Sequence, residues 1–248
     1  MKNNFKPEIL VSIKEIDELN SVVNFSNIID LKNPKDGAIG SWDLKKIHEI
    51  VKIYRGKLNL SATLGNIKSF QKLKKKLLIF DSIGLDYLKI GCFFDSIEEF
   101  SNFLKFLSNF NFKTKIVLVL FAENINLVSD LTRKMKILLD FNFKNLMLDT
   151  MDKSSNGLFM KLNTNFLKRF VSESKKINLK IGLAGKLEKH NIKQIAFIKP
   201  DIVGLRGALC EKSNRNSKIC KIRAFKFFQL FDSEMIKAQA VAGACMEA

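Results

Sequence analysis

Asp30 and Lys32 close an apolar run, Ile28-Ile-Asp-Leu-Lys32, that Pro34, Gly37 and Gly40 then cut off. Two residues apart on an extended chain, their side chains share a face. Charged groups are seldom buried without a partner or a task. A lysine that loses its proton becomes a nucleophile towards a carbonyl carbon. A salt bridge that merely closes a loop remains an open reading of this stretch. The pattern recurs in Lys89-Ile-Gly91 and in Asp149-Thr-Met-Asp-Lys153. Three ammonium groups gathered at one end of a sheet disfavour one another's charge, which favours one neutral, attacking amine. Asp30 and Asp149 can then move protons or hold the remaining ammonium groups. Lys32, Lys153, Lys89, Asp30 and Asp149 are therefore the candidate catalytic residues.

A second kind of motif follows. Gly182-Leu-Ala-Gly185 and Gly204-Leu-Arg-Gly207 put paired glycines at the ends of two further runs. Glycine lets backbone N–H groups approach an anion closely. Arg206 adds a forked donor suited to phosphate. Gly182, Ala184, Gly185, Gly204, Arg206 and Gly207 are the candidate phosphate-binding positions. Short glycine motifs also serve as plain turns. Lysines and phosphate loops together point to Schiff-base chemistry on a phosphorylated carbonyl compound.

The elements that must bring these residues together can be read from the periodicity. Strands are expected near Ile9–Ser12, Asn27–Lys32, Leu58–Ala62, Tyr87–Ile90, Lys115–Phe121, Asn145–Asp149, Lys180–Ala184 and Ile202–Leu205. Helical patterns lie between them: Ser41–Tyr54 with Ser41 placed to cap, Ile97–Phe110, Asn124–Phe141 and Asn165–Lys176. About eight β-then-α units in a chain of 248 residues imply an α/β fold, a closed (β/α)8 barrel of the TIM type. In such a barrel the strands' C-terminal ends carry function, and the last two βα loops commonly bind phosphate. An open doubly wound sheet is disfavoured, because no G-x-G-x-x-G follows the first strand. The whole chain, 1–248, reads as a single domain, with Asp232–Ala248 a terminal helix or tail.

Composition narrows the classes. The net charge of +17 accompanies an abundance of Lys, and runs such as Lys72-Leu-Lys-Lys-Lys76 read as solvated helix faces. No nucleic-acid-binding signature is present. The longest apolar run, Ile116–Ala122, is far too short for a bilayer and reads as a buried parallel strand. The four cysteines form no CxxC pair and only two histidines accompany them, so no metal cluster is expected. A reduced, cytoplasmic protein without signal peptide or membrane span fits best. Its oligomeric state is left open, a homo-oligomer included.

At this point the motifs are specific enough for a comparison. The sequence resembles the (5-formylfuran-3-yl)methyl phosphate synthases of methanofuran biosynthesis. The resemblance is carried by Asp30-Leu-Lys-Asn-Pro34 with Gly37, Ser61-Ala-Thr-Leu-Gly65, Tyr87-Leu-Lys-Ile-Gly91, Met147 to Lys153, Gly182-Leu-Ala-Gly185 and Pro200 to Cys210. These stretches run in order from about Ile9 to Arg223. Lys186 stands where the family's pattern leads one to expect serine, and a lysine can serve the same anion. The resemblance implies a (β/α)8 barrel that condenses two molecules of glyceraldehyde 3-phosphate, with loss of phosphate and water. It implies that Lys32 or Lys153 forms the Schiff base, supported by Asp30, Lys89 and Asp149, with no metal or organic cofactor. Two alternatives remain: an aldolase-like Schiff-base enzyme on another triose phosphate, and a basic nucleic-acid-binding protein.

Overall fold

A computed structural model describes residues 5–152 and 156–244, the side chains of 239–244 excepted. Eight parallel strands close on themselves in chain order. They are β1 (Glu8–Ile13), β2 (Ile28–Leu31), β3 (Asn59–Thr63), β4 (Tyr87–Gly91), β5 (Lys115–Phe121), β6 (Asn145–Asp149), β7 (Lys180–Leu183) and β8 (Ile202–Leu205). The expected barrel is thus the observed one, and β5, β6 and β8 have the expected limits. β8 pairs with β1 through Glu8↔Ile202 and Leu10↔Gly204, which completes the ring. Closure removes both sheet edges, so no strand is left with unpaired N–H and C=O groups along one side.

Helices cover the outside: α1 (Leu44–Tyr54), α2 (Phe70–Asp81), α3 (Ile97–Ser108), α4 (Ile125–Arg133), α5 (Lys136–Asp140), α6 (Leu158–Lys161), α7 (Thr164–Lys176), α8 (Ile192–Ile198) and α9 (Lys221–Ala244). In α3 the buried residues are Phe100, Phe103, Leu104 and Leu107, the spacing that places one helical stripe against the sheet. α2 carries the lysine run and turns Leu73, Leu77 and Phe80 inward, so those lysines do lie on a helix whose opposite face is buried. Two helical expectations are corrected. Asp43, not Ser41, caps α1: its carboxylate accepts from the backbone N–H groups of Lys45 and Lys46. The pattern over Asn124–Phe141 breaks in two, because Lys134 leaves helical geometry and Met135 is buried at the break beside the Ser174 hydroxyl. The terminal segment begins earlier than expected, since α9 starts at Lys221 and buries Phe227, Phe228, Phe231 and Met235. Residues 245–248 lie outside the described part.

Period-two alternation gives each strand one face to the helices and one to the barrel axis. Leu10, Ile28, Tyr87, Val117, Val119, Phe121, Met147, Ala184 and Ile202 form an interior cluster separate from the helix-facing core. Ala38, Ile39 and the half-buried Phe93 pack on the same cluster, and Gly91 leaves room for two of them. A Cβ on Gly91 would collide with Cδ1 of Ile39 and lie 2.8 and 2.9 Å from the Phe93 ring. Overpacking of this kind costs about 1–3 kcal/mol. Gly91→Ala is therefore expected to lower the urea midpoint of unfolding with no change in the transition's slope. An unchanged midpoint would mean that Ile39 and Phe93 shift aside freely.

Candidate active site

Inward alternation stacks the polar residues at the strands' C-terminal ends. Asp30 of β2 is fully buried, so its carboxylate needs donors from protein. It has three. Lys89 Nζ donates to Oδ2 at 2.6 Å, Ser12 Oγ to Oδ2 at 2.7 Å and Ser61 Oγ to Oδ1 at 3.0 Å. Register explains the serines, since Ser12 and Ser61 flank Asp30 on β1 and β3. Lys89 comes from β4 and reaches across β3. Both partners of this ion pair are buried.

Beside it lies a second pair. Lys32 Nζ is 3.5 Å from Asp149 Oδ2, and both side chains are buried. Asp149 also accepts the Thr150 N–H at 2.8 Å, which fixes the carboxylate at the end of β6. The chain beyond is pinned from β5's side. Glu123 accepts the N–H groups of Met151 and Asp152 and pairs with Lys161 at 3.3 Å. Burial raises the Glu123 carboxyl, but the hydrogen bonds from Met151 and its neighbours outweigh it and the net shift is downward.

Lys32, Lys89 and Asp149 line one cavity of about 110 Å³ together with Ala184, Gly185, Gly204, Arg206 and Gly207. The structure thus gathers eight of the eleven expected residues around one space, and Asp30 bonds two residues of its wall, Ser12 and Lys89. Lys153 lies outside the described residues. Gly182 is set back from the cavity, and its expected role is corrected: a Cβ there would sit 2.7 Å from Met147 Cε. Its missing side chain makes space for Met147 rather than for an anion. Gly204 likewise accommodates Ala184, whose Cβ would be 2.9 Å from an added one.

Arg206 needs the larger correction. All five of its N–H groups are engaged. Nε donates to the Arg215 carbonyl, Nη1 to the Ser12 carbonyl and Glu18 Oε2, and Nη2 to Glu18 Oε1 and the Ser217 carbonyl. Glu18 is itself buried and also accepts the N–H groups of Lys14 and Ile219. The forked donor is thus built into the frame and holds the loop after β8 against the loop after β1. Glu18 escaped the sequence reading, although a buried arginine in Gly-Leu-Arg-Gly implied an acidic partner somewhere.

Arg215 was also missed. It lies outside the glycine motifs, yet it lines the cavity, and its Nη2 donates to the Gly37 carbonyl at 3.1 Å. Burial lowers its affinity for its proton, the charge of Asp149 raises it, and Arg206 lowers it. Ser213 and Lys186 join the lining as well. Among the described residues no cluster of three or more His, Cys, Asp or Glu could hold a metal ion. No described helix is long and apolar enough to cross a membrane.

Against this geometry, the chain matches a family model described as 4-HFC-P synthase over residues 9–227. The chain belongs to this family. It is 30% identical over 237 residues to the (5-formylfuran-3-yl)methyl phosphate synthase of Methanobrevibacter smithii, covering 91% of this chain and 99% of that one. The enzyme of the same name from Methanocaldococcus jannaschii is 30% identical over 221 residues, covering 84% and 92%. The match includes β1 to β8, so an enzyme family and a barrel fold go together here. Among solved structures, 3-hexulose-6-phosphate synthase from Salmonella typhimurium superposes with a TM-score of 0.61 at 16% identity, over 92% of this chain and 99% of that one. N-(5'-phosphoribosyl)anthranilate isomerase from Pyrococcus furiosus gives 0.59 at 14%, over 92% and 100%. At such identities these two speak for the fold alone.

Two predictions follow from the frame around the cavity. Arg206→Ala leaves the Glu18 carboxylate buried without its cation. Breaking a buried pair from one side costs roughly 3–5 kcal/mol, so the variant is expected to melt well below the wild type. An unchanged melting temperature would refute the structural role. Glu123, held below its ordinary value of 4.5, contributes stability above that pH and loses it as the pH falls further. Glu123→Gln is expected to flatten the decline of melting temperature below about pH 4.5. Equal slopes in the two proteins would show that Glu123 does not bear on acid stability.

Proposed function

We propose that the protein condenses two molecules of glyceraldehyde 3-phosphate into (5-formylfuran-3-yl)methyl phosphate, through a Schiff base on Lys32. One observation carries the reading. A cavity lined by Lys32, Lys89 and Asp149 runs to the ends of β7 and β8, the usual phosphate end of this fold. Membership of the synthase family and the names of the relatives supply the product.

The chemistry can be assigned to this chain's residues. The unprotonated Lys32 amine attacks the aldehyde carbon of one triose phosphate. A C–N bond forms, and the carbonyl oxygen leaves as water, carrying two protons. Asp149, 3.5 Å from Lys32 Nζ, is the group that takes and returns these protons. The resulting protonated imine withdraws electrons from the neighbouring carbon, whose C–H becomes acidic. Loss of that proton gives an enamine, the carbon nucleophile for the second aldehyde. Ring closure and elimination then release one phosphate and two waters in total, and hydrolysis of the imine frees Lys32. No external oxidant or reductant is needed.

Lys89 has a different task in this reading. Its ammonium is held by Asp30 at 2.6 Å, next to the reacting groups, and stays there as a fixed positive charge. Such a charge stabilises oxyanions as they form. Lys153 follows Asp149 by four residues and remains a candidate for the second amine. Cytoplasmic operation belongs to the same reading, and Cys92, Cys210 and Cys220 are free thiols. An aldolase-like reaction on one triose phosphate uses the same lysine and differs only in product, so the near-ultraviolet absorbance of a furan separates the two.

The test is borohydride reduction during incubation with glyceraldehyde 3-phosphate, followed by mass mapping of the lysines. The adduct is expected on Lys32, and Lys32→Arg should lose both adduct and turnover, since a guanidinium stays protonated. Adduct retained on Lys89 or Lys153 in that variant would move the nucleophile. Lys89→Met should instead fail through the frame. It strands the Asp30 carboxylate in the interior, at a cost of roughly 3–5 kcal/mol read from denaturant unfolding. A Lys89→Met protein as stable as wild type would show that Asp30 does not depend on its ion pair.

A further inference from the structure

The proposed substrate carries a phosphate, and the arginine expected to meet it is fully engaged elsewhere. The same loop offers another. Residues 207–219 form a closed loop, joined at its base by a bridge between Cys210 and Ile219 and by Glu211 N–H to the Lys218 carbonyl at 3.0 Å. Arg206 and Glu18 fasten this base from beneath. Near its tip, Lys212 and Ser213 are both in left-handed backbone conformation, with φ of 51° and 54°. Non-glycine residues in that region are strained, and such strain persists where surrounding structure enforces a required shape. The shape carries Arg215 back over the barrel mouth. There its side chain lies in the cavity wall, with its Cβ 3.9 Å from where a Gly207 Cβ would be. One of its donors is tied to the Gly37 carbonyl across the mouth. That carbonyl belongs to a loop which is itself stitched, by Asn33 N–H to the Gly40 carbonyl and by Asn66 Nδ2 to the Asp36 carbonyl. Among the described residues no carboxylate lies within ion-pair distance of Arg215.

We propose that Arg215 is the residue that recognises the substrate phosphate, its guanidinium closing the β8 end of the cavity over an oxyanion that rests against the backbone of Gly185 and Gly207. The inference takes the ligand's identity from the triose phosphate reading above; the anion subsite itself stands on the loop geometry. Arg206 then acts through Arg215. It grips the Arg215 carbonyl and so sets where the neighbouring side chain points. A planar fork suits phosphate, and Lys186 lines the same end of the cavity.

The experiment uses sn-glycerol 3-phosphate, which has the phosphate but no carbonyl and so cannot form an imine. Its binding is measured by titration calorimetry on the wild type, Arg215→Gln and Arg215→Lys, with glycerol as the phosphate-free control. The wild type is expected to bind the probe and not glycerol. Arg215→Gln should bind it about tenfold to a hundredfold more weakly, the usual range for a lost charge-assisted contact. Arg215→Lys should fall between, keeping charge but losing the fork. With glyceraldehyde 3-phosphate, KM should rise more than kcat falls. Thermal melts establish that the variants are folded, and if Arg215→Gln is not, the comparison is made on Arg215→Lys, expected to bind several-fold more weakly than wild type. Wild type that ignores the probe, or variants that bind it as tightly as wild type, would overturn the assignment. Furan formation with no effect at Arg215 would remove the clamp and keep the function. Loss of probe binding at Arg215 in a protein that makes no furan would keep the clamp and remove the triose condensation.

Discussion

A carboxylate with no access to water has to be surrounded by donors, and Asp30 is such a group. Moving an ion out of water costs several kcal/mol even after relaxation. The barrel meets that cost with Lys89 and two serine hydroxyls, all within 3.0 Å. These donors come from β1, β3 and β4, so four of the eight strands converge on one side chain. The requirement fixes strand register. A slip of one residue on any of the four would turn its polar group outward among the helices. The active-site floor and the correct closure of the barrel are therefore set by one cluster.

A second buried charge does for the loops what Asp30 does for the strands. Glu18 and Arg206 pair with each other and satisfy five backbone groups: Glu18 accepts the Lys14 and Ile219 N–H groups, and Arg206 donates to the Ser12, Arg215 and Ser217 carbonyls. Loops after the first and last strands would otherwise be independent, since they are nearly 200 residues apart in the chain. Once joined they form one wall of the cavity. The arrangement separates two duties that a sequence motif merges. The arginine in the motif is structural, and the arginine it positions faces the cavity.

The strands and the lysine-bearing ends were legible in the sequence because short apolar runs, bounded by turn residues, alternate with amphipathic helical stretches. Asp30 and Lys32 are separated by one apolar residue, and β2 could not be written otherwise. The loops were less legible for physical reasons. Gly182 and Gly204 look alike as motif glycines, but what a glycine is for depends on its neighbour across the sheet. Here those neighbours are Met147 and Ala184, on strands far away in sequence or reached by a crossover. Glu18, in a short helical turn, has no pattern of its own. Arg215 is one basic residue among forty-two. Only the left-handed turn at Lys212 and Ser213 singles it out, and that turn contains no glycine to advertise it.

The position of the cavity follows from how unevenly the interior is filled. β5 contributes Val117, Val119 and Phe121, and Phe93 stacks on Phe121 at 5.1 Å between ring centres. These side chains fill the interior on that side. Across the axis, β1, the residue after β7 and β8 contribute Ser12, Ala184 and Gly204, three of the smallest residues available. A ring of eight strands of near-equal spacing cannot shrink on one side, so small residues there leave open volume. The walls of the cavity come chiefly from β6, β7, β8 and β1 and the loops that follow β7 and β8, with Lys32 and Lys89 reaching in. Lys32, Asp149, Arg215 and Lys186 all border it. The bulky residues of β5 shape the cavity as much as its own lining does, because they fill the opposite part of the interior.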